Sequence, residues 1–297
     1  MQFLSVIVLP LLAFMVAVLF LGLSRKITAR IQRRYGPPLY QPVIDVVKLF
    51  TQEENISHGP VFDLGVMLAL GGSVAIVLFI PVGGMLGLSS SGDLLVVIYL
   101  MLLPPLGMAL AAGASANPNA SIGVSRKLIL ALAYEVPFLL AILAVMIYGK
   151  TTSLMEATQS QQSSVLAWGL FRLPLSALAT FLILPAMIGM RPFDMVTAPQ
   201  EIASGPLVEF GGKYLAIASL QSALHLYIVI ALFVNLFLGG GANAGTFLAK
   251  VLVVFVAVLL INAVYPRFRM DQGLRFCWKW PGLLALVGLI IAMVSRG

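Results

Sequence analysis

The chain has 297 residues, of which 60% are hydrophobic and only 10% are charged, and its formal net charge is +7. Soluble domains carry about 25% charged residues, so this composition excludes an ordinary soluble protein and predicts a polytopic membrane protein. One cysteine, Cys277, and two histidines, His58 and His225, are too few to build an iron–sulfur cluster, a nickel–iron centre or a multi-histidine metal site. We therefore expect no cofactor and no metal in this chain.

Eight apolar runs are long enough to cross a bilayer, which takes about 20 mostly apolar residues in a helix. They cover residues 3–23, 62–82, 93–114, 128–148, 168–190, 214–238, 246–265 and 279–295. No linker or change in composition divides the chain. We therefore predict an all-α fold with eight transmembrane helices, forming one integral membrane domain over residues 1–297.

The loops between these runs alternate in charge. Fourteen of the 18 lysines and arginines lie in segments 24–61, 115–127, 191–213 and 266–279. The positive-inside rule places these segments in the cytoplasm and both termini outside. Most of the acidic residues collect on the same side, which that rule does not explain, so a mixed-charge face that docks other proteins is indicated.

The first loop is basic and then marked by prolines at positions 37, 38 and 42. From Pro42 to Phe50 the apolar residues fall on one side of a helix, while Gln41, Asp45 and Lys48 fall on the other. This pattern predicts a short amphipathic helix on the membrane surface, too short to span it. The charged residues that we expect to serve docking are Arg25, Arg30, Arg33, Arg34, Asp45, Lys48, Arg126, Lys127, Arg267, Arg269 and Asp271.

Glu135 lies near the middle of the fourth predicted span. A charge at that depth costs roughly 2.5–3.5 kcal/mol on insertion scales, so the carboxyl must face the bundle interior, be protonated or line a wet path. A proton-relay role and a neutral packing role both fit, and the relay is slightly favoured. His225 lies in the sixth predicted span. A lone histidine inside a membrane is most often a hydrogen-bonded packing residue, and a relay role for it is the less favoured alternative.

The segment from Gly189 to Ala216 is the densest acidic region, with Asp194, Glu201 and Glu209. Prolines and glycines interrupt any continuous helix there, so we expect these carboxylates on short turns around a polar pocket; a solvated loop is the alternative. The basic and aromatic segment from Tyr265 to Trp280 is interpreted as a membrane-interface belt, not as a nucleic-acid site.

Four groups of residues carry a family resemblance, and they follow one another along nearly the whole chain. They are Arg30–Glu54; Ser125-Arg126-Lys127 with Tyr134-Glu135-Val136-Pro137; Pro192-Phe193-Asp194 with Glu201 and Glu209; and Pro266-Arg267-Phe268-Arg269 with Asp271-Gln272. The chain resembles the NADH dehydrogenase subunit 1 family, which includes the homologous membrane component of group 4 energy-converting nickel–iron hydrogenases.

The resemblance implies a non-catalytic membrane-anchor and coupling subunit in the plasma membrane of a prokaryote. Its partners would be hydrogenase large and small subunits, which carry the nickel–iron centre and 4Fe–4S clusters, and antiporter-like membrane subunits. Electrons from ferredoxin or formate would be coupled to H⁺ or Na⁺ translocation. In this scheme Asp194, Glu201 and Glu209 form the cytoplasmic entrance of an ion path, and Glu135 continues it inside the membrane.

Two departures from the complex I members favour the hydrogenase branch. The chain passes from Gly36-Pro37-Pro38 directly to Gln41-Pro42 without the longer insert that complex I members carry, and Thr197 and Pro199 stand where two of their glutamates would be. The alternatives are a complex I quinone-site subunit, the equivalent subunit of a sulfur-reducing relative and a stand-alone secondary transporter. The last is disfavoured because no internal inverted repeat is visible.

Overall fold

The computed structural model describes residues 2–53, 59–88 and 92–296, so His58 lies outside the described residues. Within these ranges the regular secondary structure is helical, and the only extended pairing is one isolated bridge between Val82 and Met85. The predicted all-α class is therefore confirmed for the described part of the chain.

Fourteen α-helices follow one another in the described ranges. The first five are α1 (Gln2–Ile31), α2 (Gln41–Thr51), α3 (Pro60–Phe79), α4 (Asp93–Leu100) and α5 (Leu103–Ala114). The next four are α6 (Pro118–Gly149), α7 (Leu154–Gln159), α8 (Gly169–Arg172) and α9 (Pro174–Ile188). The last five are α10 (Pro199–Ile202), α11 (Gly212–Phe237), α12 (Ala244–Val264), α13 (Met270–Cys277) and α14 (Leu283–Arg296), with a π-helical turn at Trp278–Gly282 before α14.

Seven helical stretches in the described ranges are long and apolar enough to cross a membrane. They are Ser5–Ile31, Pro60–Phe79, Asp93–Ala114, Pro118–Gly149, Gly212–Phe237, Ala244–Val264 and Met270–Ser295. Each corresponds to one predicted span. The predicted span 168–190 is the exception, because the chain there forms the short helices α8 and α9.

The break between α8 and α9 has a local cause. Pro174 has no backbone N–H and a fixed φ, so it begins a new helix rather than continuing the preceding one. The resulting α9 has 15 residues, and at 1.5 Å per residue it is about 22 Å long. This is shorter than a hydrocarbon core of about 30 Å. An eighth full-length span is thus not present as one helix.

Helices also extend beyond the apolar runs that predicted them. α6 begins at Pro118, where the Asn117 side chain accepts a hydrogen bond from the Asn119 N–H and caps the helix start. Arg126 and Lys127, predicted in a loop, therefore lie on α6. Similarly, α1 continues through Arg30.

The core is organised around α11. In the most apolar stretch of α11, 72% of the residues are buried, whereas half or fewer are buried in the corresponding stretches of the other six long helices. It packs against α1, α2, α3, α9 and α12. A helix enclosed on all sides has no lipid-facing stripe, and this explains why α11 is buried at nearly every position from Ala223 to Phe237.

Small residues allow two close approaches that bear on the site. Gly65 on α3 and Gly107 on α5 face each other so closely that a Cβ on either would lie 2.6 Å from the other's carbonyl oxygen. On α6, a Cβ at Gly123 would lie 2.5 Å from Cδ of Pro206, in the segment that follows α10. The first contact allows α3 and α5 to pack closely. The second allows the acidic segment, residues 189–216, to pack directly against α6.

Candidate functional site

An open cleft of about 670 Å³ lies where α6, the segment after α9, α10 and the segment before α13 meet. Its charged lining consists of four arginines and two carboxylates, and we call it the arginine cleft: Arg126, Arg191, Arg267, Arg269, Asp194 and Glu201. Asp194 and Glu201 were predicted to share a polar pocket. The structure brings them together, and it adds arginines from two distant parts of the chain.

Asp194 is held on both of its carboxylate oxygens. Arg267 donates to Oδ2 at 3.1 Å, and the Thr197 hydroxyl donates to Oδ1 at 2.6 Å. The Arg267 and Asp194 side chains are only 21% and 25% exposed, so this ion pair is partly shielded from water. A shielded pair with a second hydrogen bond is fixed in orientation more firmly than a surface pair.

Glu201 is held by Arg126 at the outer rim of the cleft. The guanidinium Nη1 lies 2.8 Å from Glu201 Oε2 and 3.2 Å from the carbonyl oxygen of Met195. The hydrogen bond from Arg126 lowers the pKa of Glu201 below its usual value. The Glu201 side chain is 53% exposed, so salt and water weaken this pair.

A second, smaller cavity lies deeper, between α5, α6, α9 and α11. We call it the inner chamber. It has a volume of about 160 Å³, and its polar lining includes Lys127, Tyr134, Asp194, Thr197, Gln221 and His225. Asp194 is the one charged residue that lines both the cleft and the chamber. Its two oxygens bind one partner from each cavity, so its carboxylate forms the wall between them.

His225 is the titratable side chain that α11 contributes to the inner chamber. Its Nε2 lies 3.1 Å from the carbonyl oxygen of Met187 near the end of α9, and its buried Nδ1 has no hydrogen-bond partner among the described residues. One helical turn earlier on α11, the Gln221 amide Nε2 lies 3.5 Å from the Ser73 hydroxyl. The chamber is large enough for several water molecules, and an unsatisfied imidazole nitrogen is a group that such water would bind.

The other two predicted path residues lie outside both cavities. Glu209 accepts a hydrogen bond from the Asn117 side chain at 2.6 Å, at the start of α6. Glu135 is half-buried on α6 beside Tyr134, yet it lines neither the cleft nor the chamber. The sequence grouping of three acids with Glu135 is therefore not reproduced as one continuous cluster.

The predicted docking residues fall into three places. Arg25 pairs with Asp45 at 2.6 Å, joining α1 to α2, and this bond, with a second one from Gln41, lowers the pKa of Asp45. Exposed side chains, free to meet a partner, are found at Arg30, Arg33, Arg34, Lys48, Arg269 and Asp271. Arg126 and Arg267, together with the exposed Arg269, lie in the cleft, and Lys127 lines the inner chamber.

Sequence reasoning missed several members of the site. Arg191, Thr197 and Gln221 line the two cavities but were not selected as site residues. Arg191 immediately precedes the Pro-Phe-Asp motif, so its position in the sequence could have identified it as a site residue. Nothing in the sequence pairs Gln221 with Ser73, which lies 148 positions away. Among the described residues, no group of three or more His, Cys, Asp or Glu side chains is placed to hold a metal ion.

Comparison with known proteins places the chain in a family. The sequence profile described as NADH dehydrogenase matches residues 3–293. The chain belongs to the NADH dehydrogenase subunit 1 family. The family resemblance carried by the sequence motifs is thereby confirmed.

Three members show how far the likeness within the family extends. The NADH-quinone oxidoreductase H subunit of Protochlamydia amoebophila is 31% identical over 294 residues, which cover 91% of this chain and 89% of that protein. The same component of the Geobacillus thermodenitrificans enzyme is 28% identical over 293 residues, covering 92% and 87%. A chain of the membrane-bound sulfane sulfur reductase, an archaeal respiratory membrane complex, is 42% identical with a TM-score of 0.93, covering 98% of this chain and 99% of that chain.

Proposed function

We propose that this chain is the membrane-anchor and coupling subunit of a multisubunit respiratory complex. It docks a peripheral redox module on the side of the arginine cleft and helps to couple electron transfer to the movement of H⁺ or Na⁺. The observation that carries this proposal is the position of Asp194 between the cleft and the inner chamber. A charge change in a docked module reaches Asp194 through Arg267, and Asp194 in turn faces the membrane interior.

The ion path in this proposal runs from the cleft, past Asp194, to the inner chamber and His225. Glu201 lies at its outer rim, where Arg126 holds it. Glu209 and Glu135 line neither cavity, so we assign them to flanking positions: Glu209 supports the acidic segment, and Glu135 serves a later step within the membrane. The half-buried placement of Glu135 on α6 supports a role that a neighbouring membrane protein of the complex completes.

Two peripheral modules fit this subunit. The sequence motifs resemble the nickel–iron hydrogenase branch, whereas the archaeal sulfane sulfur reductase chain is a solved relative at 42% identity over 98% of this chain. We propose the sulfur-reducing module as the first candidate, because its support is an alignment over almost the whole chain, and the hydrogenase module as the second. Lipid quinone is disfavoured as acceptor in this proposal, because Thr197 and Pro199 stand where the complex I members carry two glutamates.

Purification of the native complex tests the identity of the module. We expect the chain to copurify with iron–sulfur subunits and to support reduction of a sulfane sulfur compound, without bound nickel. Nickel together with hydrogen evolution would select the hydrogenase candidate instead. A stable free monomer with transport activity would refute the anchor proposal altogether and favour a secondary transporter.

Asp194→Asn tests the coupling role. The amide keeps the size of the side chain and one oxygen for Arg267, but it removes the charge between cleft and chamber. We expect the complex to assemble and electron transfer to continue, while ions moved per electron in inverted vesicles fall well below the wild-type value, because the amide carries no charge and takes up no proton. Glu156→Gln is the control, because Glu156 lies on α7 beside Thr151, away from both cavities. Equal coupling in the two variants would contradict the role of Asp194.

Glu135→Gln tests the later step. We expect normal assembly and normal electron transfer, with loss of ion movement, because the amide cannot carry a proton. Pumping at the wild-type rate would leave Glu135 as a packing residue.

We further propose the membrane placement of two elements. In this proposal α8 and α9 together form the eighth crossing, and α6, α11 and α14 pack around the short α9. The helix α2 lies on the cytoplasmic membrane surface through the exposed side chains of Val43, Ile44, Val47 and Phe50. Both termini then lie outside the cell.

Cysteine labelling decides this topology, because the native Cys277 is buried. In intact cells, a membrane-impermeant maleimide should label Lys150→Cys but not Arg33→Cys. Seven crossings would leave Lys150 and Arg33 on opposite sides, because α8 and α9 follow both residues, but they would move the C-terminus inside. A tag at the C-terminus that is protected from external protease would therefore refute the eighth crossing.

A further inference from the structure

The arginine cleft contains more positive than negative charge, and the excess has a defined location. Its two carboxylates, Asp194 and Glu201, are already paired with Arg267 and Arg126 at 3.1 and 2.8 Å. The remaining two guanidinium groups, of Arg191 and Arg269, make no ion pair within the described part of the chain. The cleft therefore carries two cations that no residue in the described ranges neutralises.

The two uncompensated arginines are both exposed and both line the same cavity. They come from different segments, since Arg191 follows α9 and Arg269 precedes α13, so the fold brings them together across the cleft. A guanidinium group presents a planar fork of N–H donors that matches a carboxylate or a phosphate in two parallel hydrogen bonds. Two such guanidinium groups in one cleft favour binding of an anionic group.

The size and walls of the cleft favour a protein segment over a small ion. Its volume of about 670 Å³ is far larger than a single anion needs. Apolar groups of Pro199, Phe268 and Met270 line it beside the arginines, and they offer packing surface to side chains next to an acidic residue. All four cations of the cleft are arginines, the basic residue that is enriched at protein–protein interfaces, whereas lysine is depleted there.

We propose that the arginine cleft receives an acidic segment of the peripheral module, whose carboxylates pair with Arg191 and Arg269. This inference rests on the proposed anchor function and specifies its contact. The internal pairs of Arg126 and Arg267 then shape the cleft, and the two free arginines bind the segment. Charge pairing of this kind is weakened by salt, so retention of the module should depend on ionic strength.

Charge reversal in the purified complex tests the contact. We expect Arg191→Glu and Arg269→Glu each to raise the dissociation rate of the peripheral module about tenfold or more, and to lower the sodium chloride concentration at which half of it is lost. Arg275→Glu is the matched control, because Arg275 is exposed on α13 but does not line the cleft. It should behave as wild type.

Cross-linking identifies the occupant directly. Gln200, an exposed neutral residue of the cleft, is replaced by the photo-cross-linker p-benzoylphenylalanine, and the products are analysed by mass spectrometry. We expect a peptide of a peripheral subunit that contains Asp or Glu. Cross-links to lipid alone, or module retention equal in all three charge-reversal variants, would overturn the inference while leaving the anchor function standing. A wild-type complex that contains no peripheral subunit would instead refute the anchor function itself.

Discussion

Replacing Gly123 by alanine should displace the acidic segment without touching any charged group. Gly123 lies on α6, where its missing side chain leaves room for the backbone of the segment that follows α10. A Cβ at this position would lie 2.5 Å from Cδ and 2.7 Å from N of Pro206, and 2.8 Å from Cα of Gly205. Ordinary carbon–carbon contacts are about 3.5 Å or longer, so the segment must retreat by about 1 Å.

The atoms that would have to move are rigid ones. The ring of Pro206 locks its φ, so Cδ and N cannot move away from α6 without shifting the backbone around them. Overpacking of this kind costs roughly 1–3 kcal/mol. The change from glycine to alanine in a helix returns about 1 kcal/mol through helix propensity, so the net loss of stability should be about 0–2 kcal/mol. A displacement of about 1 Å in the acidic segment also moves Glu201 relative to Arg126.

Thermal unfolding of the purified complex, together with ion movement per electron, measures both effects. We expect Gly123→Ala to lower the unfolding temperature and to reduce coupling. The control is Gly113→Ala on α5, where an added Cβ meets no atom within 4 Å. That variant should be neutral or slightly more stable. If the two variants unfold at the same temperature and move equal numbers of ions per electron, the close contact between the acidic segment and α6 does not position the site.

Two more predictions concern packing and electrostatics. Gly65→Ala should destabilise the complex by roughly 1–3 kcal/mol in thermal unfolding, because its Cβ would lie 2.5 Å from the N atom of Ala111. The control is Gly71→Ala, whose Cβ would meet no atom within 4 Å and which should not destabilise the complex. Equal stability of the two variants would contradict the close crossing of α3 and α5. A double-mutant cycle on Arg126 and Glu201 should give a coupling of about 0.2–1 kcal/mol at neutral pH, since the pair is largely exposed. The pKa of Glu201 is lowered in the folded protein from its usual value of 4.5, so this contribution is present above pH 4.5 and is lost as pH falls through the lowered pKa; a coupling that persists at acidic pH would refute the assignment.

The spans were predictable from sequence because bilayer thickness demands a minimum apolar length. Helix ends were not, since apolarity marks the membrane-embedded part of a helix and not its full extent. The start of α6 was nevertheless visible, because Asn117 followed by Pro118 is a typical capping pair. Pro174, within a predicted span, was likewise a visible signal for the break that shortens α9.

The candidate site was only partly predictable for a different reason. Asp194 and Glu201 are close in sequence, and their grouping followed from the turn-forming residues between them. Their partners are 73 and 75 positions away, at Arg267 and Arg126, so the ion pairs depend on how distant helices pack. Long-range packing also separates Glu209 from the cleft, although it is about as near in sequence to Glu201 as Asp194 is.

The carboxyl end of the short helix α9 contributes to the electrostatic potential of the inner chamber through its backbone. Its last residues and Gly189 line that chamber, so the carboxyl end of the helix borders the cavity. The carboxyl end of a helix carries a partial negative charge of about half an elementary charge, from carbonyl groups without intrahelical partners. A cation that passes Asp194 therefore enters a region of favourable potential created by the backbone. Substitution of the lining side chains would leave this attraction in place, and only a change in where α9 ends would remove it.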